Sequence, residues 1–150
     1  MKQLKELEQL VVAAAHHMND QDFQKWTDLC SPDFEYSVTA HSEELDKKVV
    51  WMQRNKDDLA VLLESLDQHV TDPGGLSRQI GPLLLVSDSG PIKTESGVVV
   101  WHTDALGSTK LFAVGKYIDE FVEYDGALKF SRREVALQTR RFPTGSHLPL

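Results

Sequence analysis

An α+β fold, with N-terminal helices packed on one face of a strongly curved antiparallel sheet, is what this sequence predicts. Helical periodicity is confined to about residues 3–70, whereas β-branched and aromatic runs fill about residues 77–140. Helices first and long strands second is the order of segregated α and β layers. The two longest strands meet at Asp125-Gly126, a strong two-residue hairpin signal. A length of 150 residues suits a single domain with a substantial core, and no internal repeat or low-complexity linker divides it.

The elements follow in order. Leu4, Leu7, Val11, Ala14 and Met18 recur at spacings of three and four, the stripe of an amphipathic helix. A short second helix carries Phe23, Trp26 and Leu29 inward, with Asn19 or Asp20 as its cap and Pro32 as its stop. "FEYSVTAH" alternates, so Phe34, Tyr36, Val38 and Ala40 share one face of a strand. "KKVVWMQ" suits a short strand. Asn55 can cap a third helix, with Leu59, Leu62, Leu63, Leu66 and Val70 on its inner stripe. The remaining runs, "SRQIGPLLLVSD", "GVVVWHTDAL", "TKLFAVGKYIDEFVEY" and "ALKFSRREVALQTR", read as strands punctuated by Gly-Pro, Gly and Asp-Gly.

An ideal two-residue turn at Asp125-Gly126 sets Tyr124 against Ala127, Phe121 against Phe130 and Asp119 against Arg132. The last strand also changes phase. Leu128 and Phe130 share one parity and Val135 and Leu137 the other, with Arg132 and Arg133 between, which predicts a bulge or a change of buried face.

Composition excludes several function classes. The net charge of -7 gives no basic footprint for nucleic acid, apart from a local group at Arg132, Arg133, Arg140 and Arg141. The early apolar run "VVAAA" is too short for a signal-peptide core or a membrane span, so a cytoplasmic protein is expected. The single cysteine, Cys30, fits that compartment and rules out a multi-thiolate cluster within this chain. No Walker loop, GxGxxG, GxSxG or HExxH occurs.

Histidine is the remaining metal-ligating residue type. His16 and His17 are neighbours on a helix, about 100° apart, and suit the helix's C-terminal dipole better than a shared metal. His102 and Asp104 share a strand face, but only His41 from another strand offers a third ligand, and solvent exposure explains the pair more simply. No metal ligand is assigned. Trp26, Trp51 and Trp101 read as core or interface residues.

One stretch carries a family resemblance. "LFAVGKYIDEFVEYDGALKFSRREVALQTR" is similar to the last two strands of the small (β) subunit of Rieske non-haem iron ring-hydroxylating oxygenases. Phe112, Val114, Gly115, Tyr117, Asp119, Asp125, Gly126, Arg133, Val135, Leu137 and Thr139 carry the pattern. "DDLAVLLESLDQHV" and "LSRQIGPLLLV" resemble that family's third helix and following strand, including Ser77-Arg78. The sequence departs from the pattern at Gln138, where aspartate is common, and lacks a tryptophan before Ser77-Arg78.

The resemblance implies a cone-shaped fold like that of nuclear transport factor two, ketosteroid isomerase and scytalone dehydratase. It implies a non-catalytic subunit, without cofactor or metal of its own, that supports the catalytic α subunits in a three-plus-three hetero-hexamer. The Rieske 2Fe-2S cluster and the mononuclear iron are then expected in the α subunit. The alternative is a stand-alone cone-fold isomerase or dehydratase, which would draw an acid–base group from Asp33, Tyr36, His41, His102 and Tyr117. Residues 142–150 contain no Asp, Glu, Lys or Arg, unlike most frayed ends. This tail is expected to lie on the subunit's own sheet or on a neighbour, with Phe142, Leu148 and Leu150 as anchors and Arg140 beside them at the interface.

Overall fold

The structure, a computed structural model, describes residues 2–68, 74–138 and 149–150. Three helices, α1 (Lys2–Asn19), α2 (Phe23–Asp28) and α3 (Lys56–Gln68), pack on a sheet of seven strands. The strands are β1 (Cys30–Ser42), β2 (Lys47–Asn55), β3 (Gly75–Ile80), β4 (Leu84–Ser87), β5 (Ile92–Thr103), β6 (Thr109–Tyr124) and β7 (Ala127–Leu137). Their order across the sheet is β2-β1-β7-β6-β5-β3, and β4 continues the β3 edge along β5 after the Gly81-Pro82 break.

The helices bury the stripes that their periodicity defines. Leu7, Val11, Ala14 and Met18 of α1, with Leu59 and Leu63 of α3, lie in one core with Phe34, Tyr36, Val38, Val100, Tyr117 and Phe130 of the sheet. Asn55 caps α3, its Oδ1 accepting the Asp58 N–H at 2.8 Å. Leu66 and Val70 lie outside the residues whose side chains are described.

Several expectations need correction. Asp22, rather than Asn19 or Asp20, caps α2, accepting the Lys25 N–H at 3.3 Å. Asn19 instead clamps β3, its Oδ1 accepting the Arg78 N–H at 2.8 Å. Pro32 lies inside β1 rather than ending α2. It falls where the β1–β7 ladder is interrupted, between Cys30 and Glu35, so its missing N–H leaves no ladder bond unmade there. The sheet, finally, is mixed: β1 runs parallel to β7. Local turn signals orient each hairpin, but no turn connects these two strands, so sequence reading could not orient them.

The Asp125-Gly126 turn has φ of 53° and 80°, the left-handed values of a tight hairpin. Tyr124 faces Ala127 and Phe121 faces Phe130, as expected. The register then shifts between Glu120 and Phe121, leaving Ser131 as the extra residue. Asp119 therefore pairs with Arg133, not Arg132. This is the bulge that the phase change in β7 predicted, and it lets Phe130 and Arg133 both face inward although they are three positions apart. Two further register shifts, at Val38/Thr39 and Val100/Trp101, interrupt the other long strands and bend them.

Candidate functional site

The inner face of the curved sheet gathers the polar groups with the greatest capacity for chemistry. Arg133 of β7 donates from Nε to Asp119 Oδ1 at 2.7 Å and from Nη2 to Oδ2 at 2.9 Å. Both side chains are almost fully buried, at 2% and 0% exposure. The guanidinium carbon stands 3.8 Å from the Tyr117 ring centroid and 4.9 Å from that of Phe130, so the cation is stacked as well as paired. Burial pushes the Asp119 carboxyl upward, and the Arg133 charge and hydrogen bonds oppose it. Burial lowers the Arg133 pKa, but the Asp119 charge and hydrogen bonds more than offset this, and the net shift is upward. The net shift of the Asp119 carboxyl is upward, burial outweighing the Arg133 contacts, while both its oxygens are engaged in the two-point geometry of a charge-assisted pair.

Pro149 and Leu150 lie against this wall. Leu150 is 2% exposed. Its N–H donates to Tyr36 Oη at 2.7 Å, and its main-chain oxygen accepts from Tyr117 Oη and from Arg78 Nε at 2.9 Å. Burial pushes the Tyr36 phenol upward, so it stays neutral. Trp26 of α2 closes the other side, edge-on to Phe34 and Tyr36 with ring centroids 5.7 and 6.1 Å away. Among the described residues, Trp26 Nε1, Thr94 Oγ1 and Ser96 Oγ are buried without a hydrogen-bond partner.

The candidate acid–base residues do not converge. Only Tyr36 and Tyr117 meet, and they meet at Leu150. Asp33 is exposed and accepts from Ser31 Oγ at 2.7 Å. His41 is exposed beside Asp46, at 3.5 Å. His102 stands by Phe112 with ring centroids 6.3 Å apart, and Asp104 accepts the N–H groups of Leu106 and Ser108 in a turn. Cys30 is buried, and desolvation pushes its thiol up to about 12, so it is unreactive at neutral pH. Phe142, Leu148 and Arg140 lie outside the described residues.

Asp119 is not among the acid–base candidates that the sequence suggests. The signal for it was present: the bulge implied by the phase change, applied to the hairpin count, moves its partner from Arg132 to Arg133. Among the described residues, no group of three or more His, Cys, Asp or Glu side chains is arranged to hold a metal ion. Nor is any described helix long and apolar enough to cross a membrane.

Three helices packed on a mixed seven-stranded sheet define the class, and residues 2–134 match the model of the SnoaL-like domain. The 2-aminobenzenesulfonate 2,3-dioxygenase subunit beta of Alcaligenes sp. is 31% identical over 134 residues, 89% of each chain. The methanesulfonate monooxygenase hydroxylase subunit beta of Methylosulfonomonas methylovora is 31% identical over 144 residues, covering 89% of this chain and 79% of that one. Among solved structures, the beta subunit of a protein assigned as an aromatic-ring-hydroxylating dioxygenase from Novosphingobium aromaticivorans superposes with a TM-score of 0.85. It is 23% identical, with 97% of this chain and 95% of that one covered. The chain belongs to the SnoaL-like family, in the branch of oxygenase beta subunits.

Proposed function

We propose that this chain is the structural β subunit of the terminal oxygenase component of a cytoplasmic Rieske-type hydroxylating enzyme. It supports assembly of catalytic α subunits, three of each, and carries out no chemistry itself. The observation that carries this reading is the identity to two oxygenase β subunits over nearly the whole chain. The interior adds a physical reason. Both Asp119 oxygens are bound by Arg133, and the Tyr36 and Tyr117 hydroxyls are bound to Leu150, so no poised acid or base is left free among them. The Rieske cluster and the mononuclear iron belong to the α subunit in this reading. Both curated relatives are named for sulfonates, which supports an organosulfonate as the substrate of the assembled enzyme.

Iron analysis tests the division of labour. The chain purified alone is expected to be colourless and essentially iron-free, and its co-expression with a Rieske-type α subunit encoded beside it should yield an iron-bearing complex. Stoichiometric iron bound by this chain alone would contradict the assignment.

A further inference from the structure

Pro149 and Leu150 sit in the cone as a ligand would. Arg78, itself 7% exposed, donates from Nη2 to the Pro149 oxygen at 2.7 Å and from Nε to the Leu150 oxygen at 2.9 Å. Tyr117 donates to that same Leu150 oxygen, and Tyr36 accepts the Leu150 N–H. Asn19 Oδ1 accepts from Arg78 Nη1 at 3.3 Å and so orients the guanidinium. The Pro149 carbonyl, a main-chain oxygen of Leu150 and the Leu150 N–H are thus each matched by a buried side chain, and the isobutyl group is out of water.

The groups doing this come from three different strands. Tyr36 is on β1, Arg78 on β3 and Tyr117 on β6, and Asn19 of α1 fixes Arg78. Their convergence is made by the sheet and α1, not by the two residues they hold. Tyr36 is also fixed by its ring contact with Trp26, and Tyr117 by its stack on Arg133. Each of these side chains therefore has protein contacts of its own besides those to Pro149–Leu150, the kind of support that preorganises a site.

We propose that this end of the cone is a binding site for an N-acylated leucine-like unit, occupied in this structure by Pro149–Leu150 of the same chain. The ligand class follows from the contacts: an acyl carbonyl for Arg78, an amide N–H for Tyr36, a second oxygen for Arg78 and Tyr117, and a branched apolar side chain. Occupation from within the chain closes the site to free molecules of that class, because a tethered occupant acts at a high effective concentration.

The test compares the full chain with a chain ending at residue 148, each heated with and without millimolar N-acetyl-L-prolyl-L-leucine. The dipeptide is expected to raise the unfolding midpoint of the shortened chain and to leave that of the full chain unchanged. The D-leucine diastereomer should bind the shortened chain about fivefold more weakly or worse. Tyr36→Phe in the shortened chain removes the acceptor for the amide and should raise the Kd about five- to tenfold. If the shortened chain does not fold by itself, the same dipeptide is expected to raise its refolded fraction. Equal responses of the two chains, no response of the shortened chain in either assay, or unchanged affinity in Tyr36→Phe would each overturn the proposal.

Discussion

Arg133 and Asp119 bury a full pair of opposite charges at the centre of the core, where desolvation is costly and only close geometry offsets it. Removing one partner strands the other. Asp119→Ala should therefore lower unfolding stability by about 3–5 kcal/mol in urea denaturation, whereas the double replacement Asp119→Leu with Arg133→Met should lose much less. Equal losses in the single and double variants would show that the cost lies in packing rather than in the stranded charge. On the outer face, Glu134 accepts from Thr39 Oγ1 at 2.7 Å and Lys48 Nζ at 3.1 Å, tying β7 to β1 and β2. Burial alone would raise its pKa, but these hydrogen bonds and the Lys48 charge bring it below its ordinary 4.5. A carboxyl lowered by folding stabilises the folded state above its unfolded pKa and loses that contribution as pH falls through the folded value. The stability advantage of the native chain over Glu134→Gln should thus be full above about pH 5 and fade in more acidic solution. A difference independent of pH would remove the ionised form from the explanation.

At the scale of the element, Gly115 shows why a packing residue can mark a family. A Cβ there would run into the main-chain oxygen of Ala136 on the neighbouring strand. Gly115→Ala should cost about 1–3 kcal/mol by forcing β6 and β7 apart, measured as a lower denaturation midpoint. An unchanged midpoint would mean that the strands separate freely at this point. Periodicity exposed α1 and α3 in the sequence, and the Asp-Gly turn exposed the β6–β7 hairpin, because these depend on residues near one another in the chain. The parallel β1–β7 pairing was not legible, since it joins segments about a hundred positions apart with no turn between them. The α2–β1 boundary was misread because Pro32 looks locally like a helix stop. Within the candidate site, Tyr36 and Tyr117 could be named from the sequence. Their meeting with Arg78 and Leu150 could not, because it depends on how three strands and α1 are brought together.

For the whole molecule, the core of the described residues combines apolar side chains of the helices and the sheet with Leu150, and several large apolar side chains stay on the outer surface. Trp51, the extra residue of the β2 bulge, is 50% exposed, and Leu84 on the opposite edge is 62% exposed. Buried contacts made by a partner would take such groups out of water. Assembly with a catalytic subunit is the role proposed for this chain. Its most direct test is size-exclusion chromatography with light scattering on the chain co-expressed with its Rieske-type α subunit. A single complex whose mass matches three copies of each subunit is expected. Two separate peaks, with this chain eluting free of the α subunit at every concentration tried, would contradict it.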